Sequence, residues 1–432
     1  MRWAWSALGL VLFAQPAVGE SVRRIVAPNG LRVLLKPTPG TEVVAIELLV
    51  GVSACDEPPE KAGIRSVIQR LLLRGTEFES GEEMARRLCE VGAFLDTTVG
   101  LDYAEVYALA PADGFEVALK ALATAVRCPA FLAEEVDRQK QEALEAIRAS
   151  AKDPFQETYH AFRQALYGPH AYGRPTAGKQ DSVASLTREE LVAFHAKHYV
   201  PGNAVLAICG GVTQARAMRS VRRAFGDWQP GRHGPQRQQL CGPLFQPLPG
   251  SQVVVRELPV ERSYLVIGFP APAADQPNYY PLQVLDSLLS GGSTARLPRA
   301  LRDTAGMAYH VSSFYPTLAG SSHLAVYAAT DTGDLSATKA AILDVLNRLC
   351  EQPLPARDVK RAKRYLSGTY LMSHQRMKDQ AYALAWYEVL GLGSDFEQRY
   401  LASVQAVSPS EVQEAARTIL HRFVLAIGLP SQ

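Results

Sequence analysis

Few side chains in this sequence stand at spacings that could do chemistry. His195 and His198 lie three apart, which puts both imidazoles on one helical face where they could share a metal ion. No nearby acid or cysteine completes a ligand set, and surface or capping histidines are the ordinary source of such a pair. The run Gly173-Arg174-Pro175-Thr176-Ala177-Gly178-Lys179 has the spacing of a phosphate-binding loop. It fails on chemistry. Gln180 stands where a magnesium-binding Ser or Thr belongs, no strand precedes the run, and Pro175 stiffens what should be an amide-lined cradle. HExxH, GxSxG and a catalytic Cys/His signature are all absent.

The elements that must position any site come next. The chain has 432 residues, 45 Lys+Arg against 43 Asp+Glu, 47% hydrophobic and 20% charged residues. That is room for two domains with full-sized cores. Near-zero net charge gives no sign of nucleic acid and argues against a partner drawn in by long-range electrostatics. Arg2, the apolar stretch 3–14 and the small-x-small triplet Ala17-Val18-Gly19 read as a signal peptide over 1–19. The stretch is too short to span a bilayer, which takes about 20 residues. The expectation is a chain exported to the periplasm or beyond, soluble after removal of the signal, with no membrane span. Six cysteines (Cys55, Cys89, Cys128, Cys209, Cys241, Cys350) are spread singly with no CxxC. They are compatible with an oxidising compartment and leave any pairing open. Cys209 closes the apolar run 204–208 and reads as a small buried hydrophobe.

Residues 228–252 hold five prolines and four glycines with no sustained period, which reads as a linker between domains at 20–227 and 253–432. Periodicity predicts strands at 31–36, 43–50, 264–269 and 322–329, and helices at 61–73, 134–150, 187–199 and 280–289. The third of these helices opens on the capping signal Thr187-Arg188-Glu189-Glu190. The two parts also repeat each other. Ser182-Val183, Leu186-Thr187 and Glu190-Leu191 match Ser403-Val404, Val407-Ser408 and Glu411-Val412, and each copy ends in an apolar strand, 204–208 and 423–427. This points to duplication of one α+β unit.

The most informative stretch runs from Asn29-Gly30-Leu31-Arg32-Val33 through Asp56-Glu57-Pro58-Pro59 to Ala62-Gly63-Ile64 and the Gly75-Thr76 that closes it. It resembles the opening of the insulinase/pitrilysin-like (M16) zinc peptidases. The likeness continues through Tyr172-Gly173-Arg174-Pro175, His198-Tyr199-Val200-Pro201-Gly202-Asn203, Ser290-Gly291-Gly292, Gly306-Met307-Ala308-Tyr309 and Tyr387-Glu388. The resemblance implies an α+β fold of two duplicated M16-type domains, each a mixed β-sheet with helices packed on one face.

In that family an inverted HxxEH motif on the helix after Ala-Gly holds zinc with two histidines, and its Glu is the base toward the metal-bound water. A Glu on a later helix is the third ligand. In this sequence Ser66 takes the first His position, Gln69 the Glu, Arg70 the second His, and Gln139 the third ligand. A hydroxyl, two amides and a guanidinium are poor zinc ligands, and Arg70 puts a fixed positive charge where the cation would sit. Glu142 or Glu145 could offer one carboxylate, which alone would not hold zinc tightly. The expectation is no metal bound by this chain.

Family members also carry an Arg and a Tyr seven apart in the second half, reaching substrate near the zinc. Arg302 and Tyr309 have that spacing. An Arg can polarise a carbonyl and a Tyr hydroxyl can donate to an oxyanion. The resemblance therefore implies the non-zinc subunit of a heteromeric peptidase. An HxxEH-bearing paralogue would carry the zinc, as a heterodimer partner, and the substrate would be an extended peptide; self-association is the other arrangement. The run Gly92-Ala93-Phe94-Leu95-Asp96-Thr97-Thr98 is similar to the edge strand on which the family lays peptides, with Asp96 in place of the usual Asn. The alternative reading is a catalytically dead structural or peptide-binding relative.

Overall fold

The computed structural model describes residues 22–230 and 248–431. The expected signal segment 1–19, Cys241 and residues 231–247 of the expected linker lie outside the described residues. Within these limits, the strands form two sheets of closely matching topology.

The first sheet is built from β1 (Arg23–Val26), β2 (Arg32–Pro37), β3 (Val43–Val50), β4 (Phe94–Val99), β5 (Ala104–Pro111) and β6 (Ala204–Gly210), in the order β1-β2-β6-β3-β5-β4. The second holds β7 (Gln252–Leu258), β8 (Ser263–Ala271), β9 (His310–Phe314), β10 (Ser322–Thr330) and β11 (Val424–Pro430), in the order β7-β11-β8-β10-β9. Laid against each other, β2-β6-β3-β5-β4 corresponds to β7-β11-β8-β10-β9. In both, the first pair is parallel and the rest antiparallel. The duplication suggested by the helix-strand repeat is thus a duplication of whole mixed sheets. Only β1 has no counterpart among the described residues.

Each half's own helices pack on one face of its sheet, and the other half covers the second face. Helix Met377–Val389 lies on β3 and β6, while helix Pro154–Tyr167 lies on β7, β8 and β11. Burial on both faces explains why β3 and β6 are almost continuous apolar runs, where a strand wetted on one side would alternate. Val44, Ile46, Leu48 and Val50 enter the core formed with the first half's helices, and Ala45 and Leu49 enter the core shared with the second half. Gly268 is where the exchanged helix comes closest. A Cβ there would lie 2.2 Å from the ring of Phe162, so only glycine admits that helix.

Predicted elements are found with small shifts of boundary. The exception is the helix predicted over 61–73, which contracts to Ile64–Leu71 behind a short 3₁₀ turn at Pro59–Lys61. At the ends of the expected linker, Trp228 is buried in the first core and Gln252 already opens β7. Cys209 is fully buried, and burial pushes its thiol up to about 12. Cys55 is in a disulfide, while Cys89, Cys128, Cys209 and Cys350 are free thiols. Among the described residues no helix is long and apolar enough to cross a membrane.

Candidate functional site

The helix Ile64–Leu71 is placed by backbone fit and by charge. Gly63 precedes it at φ +96°, and a Cβ there would stand 2.6 Å from the carbonyl of Ala177. The run with phosphate-loop spacing therefore has a packing role, its backbone abutting the start of this helix. Glu57 accepts from the backbone N–H of Gly63 and of Arg65 at 3.3 and 3.2 Å, satisfying donors that a helix start leaves open. The same carboxylate pairs with the Arg65 guanidinium at 3.0 Å, with both side chains essentially inaccessible. Arg65 further donates to the carbonyls of Val52 and Gly100. Ile64, Val67, Ile68 and Leu71 fill the core, leaving Ser66 and Arg70 on the opposite side.

The four residues expected at the family's zinc positions do come together. Ser66, Gln69, Arg70 and Gln139 line one cleft of about 410 Å³, with Asp96–Val99 of β4 on its wall. Gln139 is there because helix Ala133–Ser150 turns Val136, Gln139, Ala143 and Leu144 toward the core. It has no exposed surface, and both polar atoms of its amide lack a hydrogen-bond partner. Gln69 donates through Nε2 to the carbonyls of Thr98 and Glu105 at 2.9 and 2.8 Å, leaving Oε1 unpartnered. Thr97 Oγ1 donates to the Gln69 carbonyl at 3.0 Å, tying the helix to β4. Behind the cleft, burial pushes the Glu105 carboxyl up, opposed by the Lys378 ammonium 3.7 Å away.

These donors do not fit zinc. One guanidinium, one hydroxyl and two carboxamides offer neither imidazole nor anionic ligand at the three positions that need them. Glu142 pairs with Arg74 at 3.7 Å, and neither it nor Glu145 lines the cleft. Among the described residues no group of three or more His, Cys, Asp or Glu side chains is arranged to hold a metal ion. With such a donor set, no reaction step can be routed through zinc held at these positions.

His195 and His198 differ from the surface or capping role expected of them. Both are buried. His195 bonds through Nε2 to the Val126 carbonyl at 2.8 Å and stacks on Tyr199, and burial lowers it to about 4. The His198 ring lies tilted against that of Phe194, centroids 4.3 Å apart. They are core residues of the helix Arg188–His198, whose Thr187–Glu190 capping box is formed as the sequence indicates.

Arg302 lies in a π-helical turn, Pro298–Thr304, and Tyr309 immediately precedes β9. Both are about half exposed. Arg302 Nε donates to Asp303 at 2.9 Å, and the Tyr309 hydroxyl donates to Asp331 at 2.9 Å. The Arg262 guanidinium sits 3.8 Å from the Tyr309 ring centroid. The two side chains do not bond to each other, and neither lines the first-half cleft. The sequence reading missed three residues around these positions. Arg74 lines the cleft four residues after Arg70, a spacing visible in the sequence; Arg262 and Asp331 meet Tyr309 only through the pairing of β10 with β8 and with β9.

Residues 32–180 match Insulinase (Peptidase family M16), and residues 185–366 match the Peptidase M16 inactive domain. The chain belongs to the M16 peptidase family. Among its curated M16 relatives, an uncharacterized zinc protease of Mycobacterium tuberculosis is 27% identical over 410 residues, covering 95% of this chain and 93% of that protein. An uncharacterized zinc protease of Bacillus subtilis is 24% identical over 411 residues, covering 95% and 98%. In fold the chain is similar to the peptidase M16 inactive domain from Pseudomonas fluorescens, with a TM-score of 0.87 at 20% identity over 95% of this chain and 98% of that one. A protease from Helicobacter pylori gives 0.87 at 18% identity, covering 95% and 100%. Within this M16 architecture, the cleft beside the Ile64–Leu71 helix and the Arg302–Tyr309 segment are the two places where the sequence resemblance leads one to expect chemistry.

Proposed function

We propose that this chain is the non-zinc subunit of an exported M16 metallopeptidase. In this reading Arg302 and Tyr309 complete the active site of a partner chain that carries HxxEH, and peptide hydrolysis belongs to the complex. The observation that carries it is the cleft at the zinc positions, whose Arg70, Gln69, Ser66 and Gln139 are unsuited to a cation. The exposed Arg302 guanidinium would hold or polarise a peptide carbonyl, and the Tyr309 hydroxyl would donate to the oxygen as charge develops there. The disulfide at Cys55 supports export, since such bonds persist in oxidising compartments. The outermost strand β4 supports an extended peptide as substrate, by addition to its edge.

The test is reconstitution with the HxxEH paralogue from the same source. Zinc is expected in the partner, with turnover only in the mixture. Arg302→Ala and Tyr309→Phe are each expected to cut kcat by about 10²-fold while leaving assembly intact. Unchanged turnover in both variants would remove the reading.

A second reading, a catalytically silent binding or structural subunit, is favoured by one observation. The polar groups of Arg302 and Tyr309 are already engaged by Asp303 and Asp331 of the same chain. Normal complex formation without turnover would select it.

A further inference from the structure

The cleft that no longer suits a cation has features that suit an anion. Arg70 is half-buried on its lining and pairs with no carboxylate among the described residues, whereas the charge of Arg74 is met by Glu142. The floor is Gln139, fully buried, whose amide NH₂ and carbonyl are both unpartnered. A buried amide without partners costs stability, so its retention at the bottom of a cleft points to a ligand that partners it. Asp96 is the one acid on the lining. It already accepts from Thr97 N–H at 2.7 Å and faces the Tyr107 hydroxyl at 3.4 Å. With Arg74 met by Glu142, the lining keeps Arg70 and Asp96 as one charge of each sign; Asp96 is already engaged by hydrogen bonds, so Arg70 is the group open to an anion.

The shape adds direction. The wall opposite the helix is Asp96–Val99, from a strand whose outer edge pairs with no other strand of the sheet. An extended peptide added to that edge would enter the cleft main chain first. There it meets Gln69 and Gln139, 2% and 0% exposed, a buried wall against which a peptide end can abut. Of the two ends of a peptide, the terminal carboxylate is the one that the unpaired Arg70 guanidinium attracts. A guanidinium fork matches it in geometry and charge, and a carboxamide NH₂ adds a donor.

We infer that the degenerate zinc cleft binds the C-terminal carboxylate of an extended peptide through Arg70, with Gln139 as its second donor. The cleft then reads the free end of a peptide where a zinc site would cut within one. This inference shares with the proposed function only the premise that peptides reach this chain; a zinc-bearing partner does not enter it.

The experiment uses the full chain alone. Two fluorescein-labelled random nonapeptide pools, one ending in a free carboxylate and the other in a carboxamide, are titrated by fluorescence anisotropy. The free-acid pool is expected to bind about tenfold tighter or more. Arg70→Gln should abolish that difference, and Arg70→Lys, which keeps the charge but loses the fork, should retain part of it. Gln139→Leu should weaken the free-acid pool alone. Equal affinity for the two pools would overturn the inference, as would no binding of either at about 1 mM, or a preference that survives Arg70→Gln. The comparison of pools on the unaltered chain decides the matter even where a variant fails to fold. Loss of the carboxylate preference leaves turnover with the partner untouched, and loss of turnover in Arg302 variants leaves the preference untouched, so the two readings fail separately.

Discussion

Glu388, on the helix Met377–Val389, accepts from the Arg24 guanidinium of β1 through both carboxylate oxygens, Nε lying 3.1 Å from each and the second nitrogen 2.9 Å from Oε1. The two residues are 364 positions apart in the chain. Arg32 of β2 donates to the Glu388 carbonyl at 3.2 Å and lies 3.7 Å from its carboxylate. One glutamate of the second half thus gathers two arginines of the first sheet, and the exchanged helix is locked by charge as well as by apolar packing.

Glu388→Ala is therefore expected to lower the stability of the whole chain. It leaves the three-quarters-buried Arg32 without its counter-charge, while Arg24 returns to water. Because Arg24 is half exposed, the loss should be about 1–2 kcal/mol rather than that of a fully buried pair. Scanning calorimetry should show one transition shifted down. Two separated transitions would mean that the halves do not depend on each other.

Rebuilding the metal site gives a second check. Ser66→His, Arg70→His and Gln139→Glu together restore two imidazoles and a carboxylate at positions the fold already brings into one cleft. The triple variant should take up about one equivalent of zinc by elemental analysis, against a negligible amount in the unaltered chain. Adding Gln69→Glu should cost the metal-free protein about 1–3 kcal/mol, because Nε2 now donates to two carbonyls that a carboxylate would oppose. A triple variant that folds and takes no zinc would show that the cleft geometry differs from that of a metal site.

Gln139→Leu should raise the melting temperature of the free chain. Its amide makes no hydrogen bond in a stripe otherwise formed by Val136, Ala143 and Leu144, and relief of such a group is worth about 1 kcal/mol. A drop instead would show that the amide is partnered in solution.

Acid should unfold the protein partly through two buried histidines. Burial lowers His195 to about 4 and His323 to about 3, the latter held between the hydroxyls of Tyr159 and Tyr167 at 2.8 Å each. Both are neutral when folded and protonate near 6.5 when unfolded. Their contribution is complete above pH 6.5 and is lost as pH falls toward 4 and 3. Between pH 6.5 and 5 this amounts to about 2 kcal/mol per histidine. Chemical denaturation at the two pH values should show the drop, and His323→Gln should diminish it. A slope unchanged by that substitution would place the acid sensitivity elsewhere.

The sequence by itself determined most of the element pattern and, through its resemblance to the family, which residues to expect at the zinc positions. Periodicity marks β3 and the helices Ala133–Ser150 and Arg188–His198 within a residue at each end, since their apolar spacing is local information. The family pattern names Ser66, Gln69, Arg70 and Gln139 by register along two helices. Tertiary structure decided what those residues face. That Gln69 is spent on two backbone carbonyls, that Gln139 is buried without a partner and that Arg70 is unpaired depend on strand β4 closing over the helix, a contact between segments about 28 residues apart. The burial of His195 and His198 was likewise hidden, because one polar residue on an apolar face looks the same in sequence whether a carbonyl such as that of Val126 or solvent meets it. The largest omission was the exchange of helices between the halves. Local periodicity says which face of Met377–Val389 is apolar, but only the assembled sheets say which core that face enters.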